Sequence, residues 1–513
     1  MSDNESSPFT FIKNLVSTGL LVFSIVIIMG LIANRETQLS KEVHPALAYC
    51  TIWIAVLWLS MVEGGQASLV GLAPVHRDCY KESHPLAYKC TSYCHRGDNL
   101  DRYLLGRQFM VVLIVFVVNL SGAPLPGATL WDFPKIVIDI FLVTGIAMIL
   151  FTCMVGQLNT QVNAAHCMLD YINNFFAVFT LYVAMFIEFS GLLHSSYLVQ
   201  MLVAKLAGRR IESFEEERNC TSNLFFYFRC LLSLTILCFS LAVTLEALFN
   251  DQTTMWQGVP KAVSVILFFL LMSIVGLLEG MQIAFFAVAK MPEAKRGESV
   301  FSRKTCDLLF RGKGRNLPGF MIGRQLCVVT CFFVIARVTT INVDTEEENV
   351  FGVSDGVQAF FNTGLLGAVI TTILGSISWQ LVASAFPNIF LANPLTYVFL
   401  RICLLLEATG IASGSWVLAA IHKKIAGFQR DEVYIGTAEE RASNNLKDDS
   451  QRLHAGNGHI VKLPGFTIDT APKSLKKLMK LNPEVLDYIK SLSERNPEIN
   501  LPPDLQAAIA NKA

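Results

Sequence analysis

The chain has 513 residues, of which 53% are hydrophobic and 16% charged, with 41 Lys and Arg against 41 Asp and Glu. Soluble domains carry roughly 25% charged residues, so an ordinary soluble enzyme is excluded, and the zero net charge argues for no nucleic-acid partner. The apolar excess falls in long runs, the pattern of bilayer spans.

In chain order, residues 1–11 form a polar, acidic N-terminal tail. The apolar run at 12–33 is as long as a full span and no small-residue cleavage site follows it, so it reads as a membrane helix rather than a signal peptide. Runs at 47–72, 104–122, 136–158 and 172–203 follow. After a polar loop at 209–223 come 224–248, 261–288, 319–338, 357–383 and 393–422. The expectation is an all-α polytopic membrane protein of ten transmembrane helices. Residues 12–208 make a first transmembrane repeat and 224–425 a second, and 426–513 form a soluble C-terminal tail with short helices. In the tail, Asn482-Pro483-Glu484 reads as a helix start. Leu475, Leu478, Val485, Ile489 and Leu492 form an apolar stripe there, suited to self-association or a cytosolic partner.

The division into two repeats rests on residues that recur at a nearly constant offset. Glu63-Gly64-Gly65-Gln66 returns as Glu279-Gly280-Met281-Gln282, and Gly106-Arg107-Gln108 returns as Gly323-Arg324-Gln325. Thr144-Gly145, Gly156 and Gln161 match Thr363-Gly364, Gly375 and Gln380. Glu188 and Gly191 match Glu407 and Gly410. Five spans per copy is an odd number, so the second copy lies inverted relative to the first. Inverted repeats frame many secondary transporters, with the binding site near the midplane.

The repeated residues carry chemistry. Glu63 and Gln66 share a helix face, as do Glu279 and Gln282. A carboxylate in the bilayer centre costs about 3 kcal/mol and so faces a cavity or a partner. Arg107 and Arg324 open the next spans and are natural counter-charges. The adjacent Gly64 and Gly280 permit close backbone approach or a local helix break. Glu188 and Glu407, with the hydroxyls of Ser190 and Thr409, are candidates for ion coupling. Gln161 and Gln380 are further polar candidates, whereas Thr144 and Thr363 can bond back to their own helices. Against this stands a purely structural Glu–Arg pair that only joins helices, a reading weakened by its occurring twice. No phosphate-binding loop, zinc-protease sequence or nucleophile elbow is present, which excludes an ATP-driven pump and the common hydrolases, and no cofactor is called for.

Most of the thirteen cysteines lie in apolar runs, where Cys packs as a small hydrophobe. Cys79, Cys90 and Cys94 share a loop with His84 and His95, in a spacing that matches no standard zinc site.

The two motif pairs resemble those of the diatom silicic acid (silicon) transporter family, in which Glu-Gly-x-Gln and Gly-Arg-Gln occur once in each half of a ten-helix protein. Cys167-Met168-Leu169-Asp170 matches a further sequence of that family. The resemblance covers roughly 10–425. It implies uptake of orthosilicic acid, coupled to sodium in marine members, across the plasma membrane, while the sequence leaves open an internal silica-forming vesicle as the site of action. Carried over residue by residue, it makes Glu63, Gly64, Gln66, Gly106, Arg107, Gln108, Glu279, Gly280, Gln282, Gly323, Arg324 and Gln325 the solute-binding candidates. Silicic acid is neutral with four hydroxyls, and Gln, Glu and Arg together supply donors and acceptors for it. Cys167 and Asp170 are weak metal-ligand candidates, a packed cysteine being the plainer reading. Transport of another neutral hydroxylated solute such as boric acid, or a passive channel, are the competing functions, and the buried acidic pairs count against a channel.

Orientation is contested within the sequence. Asn219-Cys220-Thr221 and Asn119-Leu120-Ser121 are glycosylation sequons that would lie outside if the termini are cytosolic. The loop after the seventh span holds Lys290, Lys295, Arg296, Arg303, Lys304, Arg311, Lys313 and Arg315, which the positive-inside rule would place in the cytosol. Cytosolic termini are the expectation retained.

Overall fold

The computed structural model describes residues 8–73, 75–125, 127–164, 166–206, 208, 219–256, 258–289, 299–311, 316–343, 348–436, 462–463 and 466–467. The chain divides into two units, 1–435 and 436–513. In the second unit the described residues pair as antiparallel strands, β1 (Lys462–Leu463) and β2 (Phe466–Thr467), with Leu463 opposite Phe466. The helix start at Asn482 and the stripe from Leu475 to Leu492 lie outside the described residues, as do 209–218 and the cations Lys290, Lys295, Arg296, Lys313 and Arg315.

The first unit is helical. Its first part holds α1 (Pro8–Ala33), α2 (Pro45–Leu72), α3 (Pro85–Cys94), α4 (Asn99–Gly122), α5 (Lys135–Val143), α6 (Ile146–Ala164), α7 (Met168–Ile172), α8 (Phe175–Phe189) and α9 (Ser195–Leu206). Its second part holds α10 (Cys220–Phe249), α11 (Lys261–Ala289), α12 (Val300–Leu309), α13 (Asn316–Thr339), α14 (Asp355–Phe361), α15 (Leu365–Ala385), α16 (Pro387–Ala392), α17 (Pro394–Thr409) and α18 (Gly414–Ala426). Local chemistry sets several starts. Asn393 accepts from the Leu395 amide across 3.0 Å with Pro394 in the first turn, and Asn174 caps the Ala177 amide at 2.8 Å.

Among the described residues, seven helices are long and apolar enough to cross a bilayer, and two bent pairs bring the number to nine. The expected span at 172–203 departs from that pattern. It is split at Gly191 into α8 of 15 residues and α9 of 12, so neither piece alone has spanning length. Gly191 has φ 84° and Gly410, at the corresponding break between α17 and α18, has φ 75°, values that a side chain with a Cβ adopts only under strain. The α17–α18 pair bends by 69°, and α5–α6 bends by 49° at Gly145.

These breaks are pinned from a distance. Lys13 Nζ donates to the Ala408 carbonyl across 2.6 Å. The Ser17 hydroxyl donates to the Ile411 carbonyl and accepts from the Gly414 amide at 2.8 Å. At the other break, Arg229 Nη2 donates to the Phe189 carbonyl at 2.7 Å. Ser233 Oγ donates to the Leu192 carbonyl at 2.5 Å and accepts from the Ser195 amide at 3.0 Å. Thus α1 holds the break near the end of the chain, and α10 holds the break that precedes it in sequence. Accordingly α18 packs on α1 and α6, while α9 packs on α10 and α15. Asn163 Nδ2 donates to the Ala419 carbonyl at 3.1 Å, and Gln200 Nε2 to the Leu381 carbonyl at 3.3 Å. The two parts are interlocked rather than set side by side.

The most deeply buried helices are α4 and α13, which pack on each other. Phe333 of α13 covers Gly145, and Phe116 of α4 covers Gly364. Each thus braces a helix break in the opposite part of the chain.

Candidate functional site

Two polar clusters lie within this apolar core. In the first, α2 supplies Glu63 and α4 supplies Arg107, and Arg107 Nη2 stands 2.8 Å from Glu63 Oε2. Gln161 of α6 donates to the same oxygen at 3.0 Å. In the second, Arg324 Nη1 of α13 stands 3.0 Å from Glu279 Oε1 of α11, and Gln380 of α15 donates to Glu279 Oε2 at 2.8 Å. Each Arg also donates to the Gln that follows it, Arg107 to Gln108 at 2.7 Å and Arg324 to Gln325 at 2.6 Å. All four charged groups are at most 5% exposed. A pair so buried persists only when its remaining hydrogen-bonding capacity is largely met, because desolvation costs several kcal/mol per ion.

Some of that capacity is not met by the protein. The Nε of Arg107 and the Nε of Arg324 are both buried with no hydrogen-bond partner. Gln66 and Gln282 are half-buried beside their clusters and make no side-chain hydrogen bond to described residues. The arrangement therefore offers donors and acceptors to a third party on both sides of the fold.

Of the two roles open to the glycine beside each glutamate, close approach or a helix break, the break is not there, since α2 runs through Gly64 and α11 through Gly280 without interruption. The glycines serve close packing. A Cβ on Gly64 would enter the Tyr171 ring, and one on Gly280 the Phe390 ring. A Cβ on Gly106 would collide with the Ala184 carbonyl, and one on Gly323 with the Cys403 carbonyl. So Gly106 and Gly323 bring α4 against α8, and α13 against α17, at backbone distance. Backbone irregularity appears in the fourth segment of each part, as π-turns at Thr152–Leu158 and Ile373–Ile377. Such widened turns are frequent at functional sites, and each one leads directly into the helix that carries Gln161 or Gln380. The Val155 carbonyl in the first accepts from Ser60 at 3.2 Å.

The second acidic pair is not symmetrical. Glu188 is buried, with Oε1 3.6 Å from His194 Nε2 and 3.9 Å from Arg229 Nη2. Glu407 is exposed on the surface of α17 and makes no ion pair with described residues. Ser190 and Thr409 do not point their hydroxyls at these carboxylates. Each donates to a carbonyl three residues back, Ile187 or Leu406, at 2.6 Å, closing its own helix end. Thr144 and Thr363 likewise bond to the Ile140 and Phe360 carbonyls.

Cys167 and Asp170 lie at α7, and Asp170 ties three segments together. Its Oδ1 is 3.0 Å from His84 Nε2, and its Oδ2 accepts from the Gln429 amide at 2.6 Å. Asp431 accepts from the Met168 and Leu169 amides, both at 2.9 Å, capping α7 from beyond the last span. Burial raises the Asp431 carboxyl above its ordinary value, against those two hydrogen bonds. Among the described residues, no group of three or more His, Cys, Asp or Glu side chains is placed to hold a metal ion. Cys79, Cys90, Cys94 and Cys220 are free thiols. The sequon residue Asn119 lies inside α4 with its amide nitrogen buried, which removes it as a glycan acceptor. Asn219 is exposed at the start of α10.

Sequence reasoning missed Gln157, whose Nε2 lies 3.5 Å from Glu63 Oε1. It sits four residues before Gln161 and so shares its helix face, a signal that was legible. It also missed Lys13, Ser17, Arg229 and Ser233, although Ser17 and Ser233 recur at the same offset of 216 as the Glu-Gly-x-Gln sequences.

A family model described as silicon transporter matches residues 5–495 of the chain. No curated protein and no solved structure matches it. The chain belongs to the silicon transporter family, a family of transporters rather than enzymes.

Proposed function

We propose that this silicon transporter family member takes up orthosilicic acid across the plasma membrane by sodium-coupled symport with alternating access. The observation that carries this reading is the double Glu–Arg–Gln cluster, buried in apolar surroundings yet keeping an unpartnered Arg Nε on each side. A neutral molecule with four hydroxyls needs several donors and acceptors at once, and these clusters supply them where water is excluded.

Ten membrane segments arranged as two inverted five-helix repeats fit the matched contacts. In this reading α8–α9 is the broken fifth segment and α17–α18 the broken tenth, and the exchange of α9 and α18 between repeats couples their motions. A neutral solute gains nothing from the membrane potential, whereas each co-transported cation gains about 2.3 kcal/mol per 100 mV. The Arg229 guanidinium beside Glu188 disfavours a second cation there. Carbonyl oxygens freed at the breaks and π-turns are the better ligands for a hard ion such as sodium.

The test is uptake by the purified protein in proteoliposomes, with silicic acid outside and an imposed inward sodium gradient. Uptake driven above equilibrium by that gradient is expected. Silicic acid flux of equal size without sodium would end the symport reading. Equal flux of boric acid would end the claim of selectivity.

A further inference from the structure

We infer that the two clusters are not equivalent, and that the cluster of the first repeat is the one that binds the solute, with Gln157 and Tyr103 as two further specificity-determining residues. The inference rests on the reading of the solute as orthosilicic acid.

The two glutamates differ in what they have left to give. At Glu279, Arg324 takes Oε1 and Gln380 takes Oε2, so both oxygens are engaged at 3.0 Å or less. At Glu63, Arg107 and Gln161 both fall on Oε2, and Oε1 keeps only a contact of 3.5 Å from Gln157, too long for a good hydrogen bond. Gln157 itself is fully buried, and its Oε1 has no hydrogen-bond partner. The first cluster therefore keeps two acceptor oxygens and the Arg107 Nε donor unspent within one site. The offset of 219 puts Ser376 in the place of Gln157, and Ser376 lies 3.4 Å from Gln380 Nε2.

Side-chain polarity follows the same division. Gly65 has no Cβ, and the nearest atom to where one would stand is the Tyr103 hydroxyl at 3.3 Å. Tyr103 is buried one turn before Arg107 on α4. In the second repeat Met281 replaces Gly65 and Phe320 replaces Tyr103, both fully buried. So the first repeat places a hydroxyl against a glycine where the second has a thioether and a phenyl ring. Hydroxyl-bearing solutes are selected by buried polar groups that would otherwise go unpaired, and among the described residues the first cluster holds more of these than the second.

The experiment compares Gln157→Ser and Tyr103→Phe, each of which copies the second repeat, in the proteoliposome assay with orthosilicic acid. Both are expected to raise KM about five- to tenfold, the loss of one hydrogen bond, with kcat changed less than about twofold. Phe320→Tyr is expected to leave KM unchanged. Thermal melts of the purified variants check that each is folded. Folded Gln157→Ser and Tyr103→Phe proteins with wild-type KM would overturn the inference while leaving silicic acid transport standing. Two silicic acid molecules bound per chain at equilibrium, rather than one, would overturn it as well. Wild-type vesicles that take up no silicic acid would sink the functional reading and this inference together.

Discussion

Gln161 Nε2 donates to Glu63 Oε2 across 3.0 Å, joining residues 98 positions apart. Because Arg107 reaches the same oxygen, the carboxylate is held from two helices at once, and α2, α4 and α6 meet on one atom. The same three-helix meeting recurs at Glu279, with Arg324 and Gln380.

Charge and structure can be separated at this meeting point. Removing one member of a buried pair leaves an uncompensated charge, at a cost of about 3–5 kcal/mol. Glu63→Gln should lower the Tm of the purified protein and reduce uptake roughly 10- to 100-fold. The double variant Glu63→Gln with Arg107→Gln should recover much of the Tm but none of the uptake. Recovery of uptake along with Tm would make the pair structural only.

Backbone contact at Gly106 and Gly323 gives a second expectation. Ala at either position must push a helix away from a carbonyl oxygen, and overpacking of this kind costs about 1–3 kcal/mol or more. Gly106→Ala and Gly323→Ala should therefore melt early or fail to accumulate as a monodisperse protein. Gly19→Ala, where no atom lies within 4 Å, should melt at or slightly above the wild-type temperature. Size-exclusion profiles recorded after heating separate the two behaviours.

Asp431 predicts a pH dependence. Burial raises its folded-state pKa, so the fold favours the protonated carboxyl. Its contribution is fully present below the ordinary carboxylate range and is lost as pH rises through the raised value. In Asp431→Asn that titration is absent. The Tm advantage of wild type over Asp431→Asn should be greatest at about pH 3, roughly a unit below the ordinary carboxyl value, and shrink as the pH rises toward neutrality. An advantage that grows with pH would show that the Met168 and Leu169 amides outweigh burial.

The pins at the breaks should matter equally on both sides. Ser17→Ala and Ser233→Ala each remove a hydroxyl that bridges a carbonyl and an amide. Each should cost about 1–2 kcal/mol, read as matching falls in Tm. If Ser17→Ala melts with wild type while Ser233→Ala does not, the two breaks are held by different forces.

Much of this was legible in the chain alone. Long apolar runs force helices, because a bilayer leaves no other way to satisfy backbone polar groups, so the all-α membrane class followed from composition. Charged residues placed twice inside such runs had to find partners, so Glu63 with Arg107 and Glu279 with Arg324 could be paired on cost alone. Gln161 and Gln380, marked only by their offset, fall on those same carboxylates.

Other features needed three dimensions. Nothing in the spacing of Glu188 and Glu407 distinguishes them, yet one is buried near His194 and Arg229 and the other is exposed. That outcome depends on what α10 and α1 bring to each break, Arg229 in one case and Lys13 in the other. The split of residues 172–203 also escaped hydropathy, which counts apolar residues but does not register a left-handed φ at Gly191. Periodicity fixes which face of a helix is polar. Which oxygen of Glu63 is left open was decided only by the packing of distant segments, because hydrogen bonds act through space and leave no trace in local sequence.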